Sequence, residues 1–360
     1  MKYIITIMVI LLLLSSSFVG VSNSIEKSST VFFDGKTLYV GGDGPGNYSK
    51  IQDAINDAND GDTVFVYDDS SPYQEDMLQI EKSINLIGEN RDTTVISGII
   101  DFIDCSPYTD VIIFITTDWV NISGFTIQNS ERCGITVYMG DNINISGNIF
   151  IDNGLSSIGI LISNYSCISD NIFTGNVVDN LFCTGGGIFL EHASFTNIIG
   201  NIFTNCSGGI GLSSLLELPM TSRSNIISGN FFDKNDVAME IRADNTLISK
   251  NTISNHNRPL NLIIPALKLE GRNNTVSCNN FINNIRNAND VFYIFSLRDI
   301  FKIRKYGNVW DGNYWGKPRP LPKIIFGYFR FERSPPNPAI PILFFNVDWH
   351  PAREPYDIGV

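Results

Sequence analysis

Ile145-Ser146-Gly147-Asn148-Ile149-Phe150 returns as Ile168-Ser169-Asp170-Asn171-Ile172-Phe173, and again as Ile198-Ile199-Gly200-Asn201-Ile202-Phe203. Degenerate copies follow at Ile227 to Phe232, Ile248 to Ile253 and Val276 to Phe281, and an earlier one, Ile122 to Ile127, has Phe125 in place of the asparagine. The asparagines at 148, 171, 201, 230, 251 and 279 are 23, 30, 29, 21 and 28 residues apart. A second pattern keeps step: Gly134-Ile135-Thr136-Val137, Gly159-Ile160-Leu161-Ile162, Gly187-Ile188-Phe189-Leu190, Gly209-Ile210-Gly211-Leu212, Ala238-Met239-Glu240-Ile241 and Ala266-Leu267-Lys268-Leu269. Apolar residues two apart mark short half-buried strands.

Short strands at this period, punctuated by Gly and Asn, are coils of a solenoid. The fold expected is all-β: a right-handed parallel β-helix over residues 36–285. Like residues then stack one coil apart. Phe150, Phe173, Phe203, Phe232 and Phe281 form an internal aromatic column, interrupted by Ile253, and Asn148, Asn171, Asn201, Asn230, Asn251 and Asn279 form an amide ladder at a sharp bend. The other reading of these asparagines is an exposed row of turn residues.

Open strand edges at both ends need covers. Ser49-Lys50-Ile51-Gln52 fits a capping box opening a helix at about 49–59, with Ile51, Ala54, Ile55 and Ala58 as its apolar stripe. Residues 286–360 change character. They are Pro-rich at 317–323 and 334–341 and carry Trp310, Trp315 and Trp349, which suggests an irregular aromatic cap rather than a further coil. A separate carbohydrate-binding module is the alternative there.

Lys2, the apolar run Tyr3 to Leu14 and the small residues that follow have the three regions of a secretory signal over 1–24. A retained anchor is the competing reading, although the run falls short of the ~20 residues a bilayer demands. The expected location is therefore extracellular or cell-surface, with membrane contact only through an uncleaved signal. The net charge of −12 opposes nucleic acid. Sequons at Asn47, Asn121, Asn144, Asn164, Asn205 and Asn273 are glycosylation candidates. Cys183 and Cys206 share nearly the same phase in adjacent coils; they could bridge, or both could be free buried thiols.

The repeat also says which strand positions point outward. On it, Thr136, Leu161, Phe189, Gly211, Glu240 and Lys268 form one column, and Tyr138, Ser163, Glu191, Ser213, Arg242 and Glu270 the next. Glu191, Glu240, Arg242, Lys268 and Glu270 converge as candidate catalytic residues, since paired carboxylates or a base beside a cation can break glycosidic bonds. The competing reading is mutual neutralisation of charge across the ladder. No dense Asp cluster suggests calcium, and no cofactor or metal is expected.

Tyr48-Ser49-Lys50-Ile51-Gln52-Asp53-Ala54-Ile55, Gly61-Asp62-Thr63-Val64, Ser83 to Asn90, the Gly-Asn-x-Phe repeats and Gly312-Asn313-Tyr314-Trp315-Gly316 together resemble the pectin-lyase-like superfamily. Within it they are most similar to NosD-like, secreted parallel β-helix repeat proteins of archaeal type. The resemblance implies the fold over about 38–316. It also implies either a polysaccharide lyase, hydrolase or epimerase, or a protein with no catalytic activity. The NosD name implies copper, which His192, His256, His350 and six scattered Met do not support. The function expected is a non-catalytic β-helix protein contacting carbohydrate or cell-envelope components; the alternative is a lyase or glycoside hydrolase acting from the outer face.

Overall fold

The structure is a computed structural model that describes residues 35–75, 77–98, 111–176, 186–213, 222–256, 265–294, 307–331 and 342–359. Three sheets run the length of a right-handed parallel β-helix. Among the described residues, sheet A has eleven strands, from Thr37–Val40 to Val309–Asp311; sheet B has eight, from Val95–Ser97 to Asn280–Ile282; sheet C has eleven, from Leu78–Ile80 to Ile342–Asp348. Between Asn85 and Ile294 each coil gives one strand to each sheet, and neighbouring coils pair in parallel and in register, as in Ile145↔Ile168↔Ile198 and Phe150↔Phe173↔Phe203.

Register follows from the repeat because alternate residues point inward and the apolar ones must coincide from coil to coil. The rings of Phe150, Phe173, Phe203 and Phe232 stack with centroids 4.9, 4.6 and 4.8 Å apart and planes nearly parallel, all fully buried. The asparagines are buried too. The side-chain oxygen of Asn201 accepts from the backbone N–H and the Nδ2 of Asn171, both at 3.0 Å, while Asn201 Nδ2 donates to Ile168 O in the preceding coil at 2.9 Å. With a further bond from Asn201 Nδ2 to Asn230 Oδ1 in the following coil, at 3.0 Å, one amide joins three coils, supplying the partners that a buried bend otherwise lacks.

Two further ladders stand at the other corners. After sheet B, the N–H of Ser130 donates to Asn153 Oδ1, that of Asn153 to Asn176 Oδ1, and that of Cys206 to Asn235 Oδ1. Before sheet A, the N–H of Thr196 donates to Asn225 Oδ1 and that of Thr246 to Asn274 Oδ1.

The helix spans Ile51–Asp57, and its stripe of Ile51, Ala54, Ile55 and the following Ala58 is buried against the first coils. Its cap differs from the sequence expectation, because no side chain caps it locally. Instead Glu75 takes the first two helical amides, Ile51 N at 2.6 Å and Gln52 N at 3.0 Å, with its carboxylate at the positive end of the helix. At the other end Lys82 Nζ donates to Asn56 O and Ala58 O. The contribution from outside the segment explains why a local pattern misplaced the cap.

Residues beyond 285 continue the helix for another turn. Ala288–Ile294 extends sheet C and Val309–Asp311 extends sheet A, while Asn313 adds a rung to the asparagine column and Trp315 stacks on Phe281 at 4.5 Å. Only then comes the cover: Lys323–Phe331 pairs in parallel with Ala288–Ile294, and Ile342–Asp348 returns antiparallel to it.

Candidate functional site

On the outer face of sheet C, the strands Val237–Arg242 and Leu267–Glu270 set Glu240 opposite Lys268 and Arg242 opposite Glu270. Lys268 Nζ lies 2.8 Å from Glu240 Oε1 and 2.7 Å from Glu270 Oε1; Arg242 closes the set, with Nη2 2.8 Å from Glu240 and Nε 2.9 Å from Glu270. The four charges form a closed ring of ion pairs in which the acids are the buried members, Glu240 9% and Glu270 1% exposed.

Burial works against the charge on Glu240, but the hydrogen bond and charge of Lys268, with Arg242 behind them, outweigh it and hold the carboxyl below its usual range. Burial likewise works against the charge on Lys268, yet Glu270 and Glu240 push its ammonium above the usual lysine range. At neutral pH the pair is a carboxylate and an ammonium, each compensated. Asn289, the next rung beyond Lys268, buries its Oδ1 with no hydrogen-bond donor among the described residues.

Glu191 faces Ser213 on the neighbouring strand and takes no part in these ion pairs. Two outward columns also need correction. Leu161 pairs with Tyr138 and Glu191, and Gly159 takes the place between Thr136 and Phe189. Ser163 is not outward at all; it is buried at the corner and bonded to Gly140 O. The strand Ser156–Leu161 is shifted by two residues from the reading that starts at Gly159. A two-residue shift keeps every apolar side chain inward, so the pattern alone cannot detect it.

Cys206 carries a free thiol, buried in the ladder beside Asn176 Nδ2 at 3.7 Å, and burial pushes it up to about 11. Cys183 lies outside the described residues, as do the signal segment 1–24 and Cys105. Among the sequons, Asn205 and Asn273 are exposed at corners. The amides of Asn47, Asn121, Asn144 and Asn164 instead donate to Gly41 O, Asn85 Oδ1, Ser146 Oγ and Asp141 Oδ1.

The histidines do not suit the copper that the NosD resemblance implies. His256 is buried with Nδ1 on Asn235 O, His350 pairs with Asp311 at the C-terminal end, and His192 sits at a sheet C corner. Among the described residues no group of three or more His, Cys, Asp or Glu is placed to hold a metal ion, and no helix is long and apolar enough to cross a membrane.

Residues 110–284 match the family described as "Right handed beta helix region". No curated protein matches the sequence. Among solved structures, the chain is similar to an alginate lyase from Paenibacillus sp. str. FPU-7, with a TM-score of 0.52 at 14% identity over 76% of this chain and 95% of that one. It is also similar to a polygalacturonase from Erwinia carotovora ssp. carotovora, with a TM-score of 0.51 at 10% identity over 76% of this chain and 80% of that one. At such identities the likeness speaks for the fold, and together with the three in-register sheets it identifies the chain as a right-handed parallel β-helix protein.

Proposed function

We propose that this is a secreted or cell-surface β-helix protein that engages carbohydrate or cell-envelope components through the outer face of sheet C without cleaving them. The observation that carries the reading is the direction in which Glu240 and Lys268 are displaced. A general acid needs a carboxyl raised toward neutral pH, and a lysine base needs an ammonium lowered toward it. Here both move the opposite way, because each group neutralises the other. The alternative is a polysaccharide lyase or glycoside hydrolase using Glu191, Glu240 or Glu270; it would have to break this ring to free Glu240 or Glu270, while Glu191 stands outside it.

The polysaccharide substrates of the alginate lyase and the polygalacturonase support carbohydrate as the partner class, and the signal-like segment 1–24 supports export. On this reading Asn205 and Asn273 are the sequons best placed to carry glycans. The test is to incubate the full chain with uronic-acid and neutral glycans while following new reducing ends and unsaturated products. Retention of glycan with neither product is expected; cleavage that Glu240→Gln abolishes would overturn the proposal.

A further inference from the structure

At the corner between sheets C and A, seven coils present one equivalent residue each: Trp119, Asn142, Tyr165, Phe195, Ser224, Asn245 and Asn273. Their backbone N–H groups make equivalent bonds, from Trp119 to Asp141 O, Asn142 to Asn164 O, Tyr165 to Ser194 O and Phe195 to Arg223 O, at 3.0 to 3.1 Å. All seven have φ between 53° and 59°. That left-handed conformation suits Asn, which fills three of the positions, and disfavours bulky side chains. Three rings nevertheless stand there, and burial does not compensate them: Trp119, Tyr165 and Phe195 remain 40%, 55% and 41% exposed. Backbone strain accepted for exposed rings points to use of the surface.

Tyr165 and Phe195 stack at 5.0 Å and 8°. Trp119 stands two coils before Tyr165, about 9.6 Å along the axis at ~4.8 Å per coil. Between them Asn142 leaves the column one ring short, and its side-chain amide makes no hydrogen bond to any described residue. We propose that this gap, bounded by Trp119 and Tyr165 and floored by Asn142, binds one hexopyranose of a neutral glycan. A saturated six-membered ring has the breadth of the missing rung and apolar C–H faces for both aromatic neighbours. Its hydroxyls meet the Asn142 amide and the adjoining Asp118, Asp141 and Asn164. The two carboxylates beside the gap, on a chain of net charge −12, disfavour a polyuronate. The site lies on a corner, apart from the sheet C face, and stands or falls independently of the reading given for that face.

The test is affinity electrophoresis of the full chain through gels containing galactomannan, hydroxyethyl cellulose or polygalacturonate, with calorimetric titration of the matching hexasaccharides. Retardation by at least one neutral polymer is expected. Trp119→Asn and Tyr165→Asn should each weaken it at least tenfold. Because Asn already occupies this conformation at 142, 245 and 273, neither variant should lower the melting temperature. Asn245→Ser, in the same column but away from the gap, should bind as the parent does. No retardation by either neutral polymer, stronger retardation by polygalacturonate, or undiminished binding in both aromatic variants would overturn the proposal.

Discussion

Asp348 terminates the asparagine column: its Oδ2 accepts the backbone N–H of Asn313 at 2.9 Å and the Asn313 Nδ2 at 3.2 Å, taking the place that the next asparagine would fill. The same oxygen accepts Trp315 Nε1 at 3.0 Å, and Oδ1 accepts Gly312 N at 3.1 Å. The final strand therefore returns antiparallel to deliver one carboxylate to the open end of the ladder. Asp348→Ala should cost about 3 kcal/mol, since buried donors left without acceptors cost ~1–3 kcal/mol each. Asp348→Asn, which keeps an acceptor, should cost less. Chemical denaturation measures the difference, and hydrogen exchange should place the loosening first in the coil of Asn313.

Inside the column the loss should be larger. Asn201→Ala removes the acceptor for two donors of Asn171 and the donor to Ile168 O and Asn230 Oδ1. A loss of about 4 kcal/mol is expected, against less than about 1 kcal/mol for Asn205→Ser at the exposed corner. Paired urea titrations with a shared slope decide this.

The asparagine and phenylalanine columns were legible because one side chain repeats at each rung. The ladder after sheet B was not: Asn153, Asn176, Asn235 and Asn284 share it with Ser130, Cys206 and His256, so no single letter marks it. The last turn was hidden in the same way, since Trp310-Asp311-Gly312-Asn313-Tyr314-Trp315 is the repeat with tryptophan in both apolar positions. For the site, alternating charge pointed to Glu240, Arg242, Lys268 and Glu270. The burial of the two acids depends on what packs around them and not on spacing.

Proton linkage should be concealed in the parent and exposed in two variants. Burial raises Asp290 to about 6, although Trp310, Asn308 and Asn346 donate to it. The folded state then holds a proton that the unfolded state releases, so this group makes stability fall as pH rises from about 4 to 6. Burial lowers His256 to about 4. Its unfolded form takes up a proton that the folded form refuses, so its contribution rises with pH from about 4 to 6.5. Each linkage is of the order of 3 kcal/mol, and the two oppose each other. Relative to the parent, Asp290→Asn should gain stability as pH rises through this window and His256→Asn should lose it; urea midpoints from pH 4 to 7 give the slopes.

Breaking the ion-paired ring should be costly at neutral pH. Lys268→Met leaves Glu240 and Glu270 with Arg242 alone, and removing one partner of a buried pair costs ~3–5 kcal/mol. The deficit should shrink at acid pH, where Glu240 takes up a proton and no longer needs the lost ammonium. Thermal melts at pH 7 and pH 4 make the comparison.

The most direct measurement is the titration of Glu240 itself, by carboxyl carbon NMR with Glu240→Gln for assignment. A closed, charge-compensated ring predicts a midpoint below that of an ordinary glutamate, about 4.3. A midpoint raised toward 6 or above would make Glu240 a proton donor and contradict the account of this face as a surface that binds without cleaving.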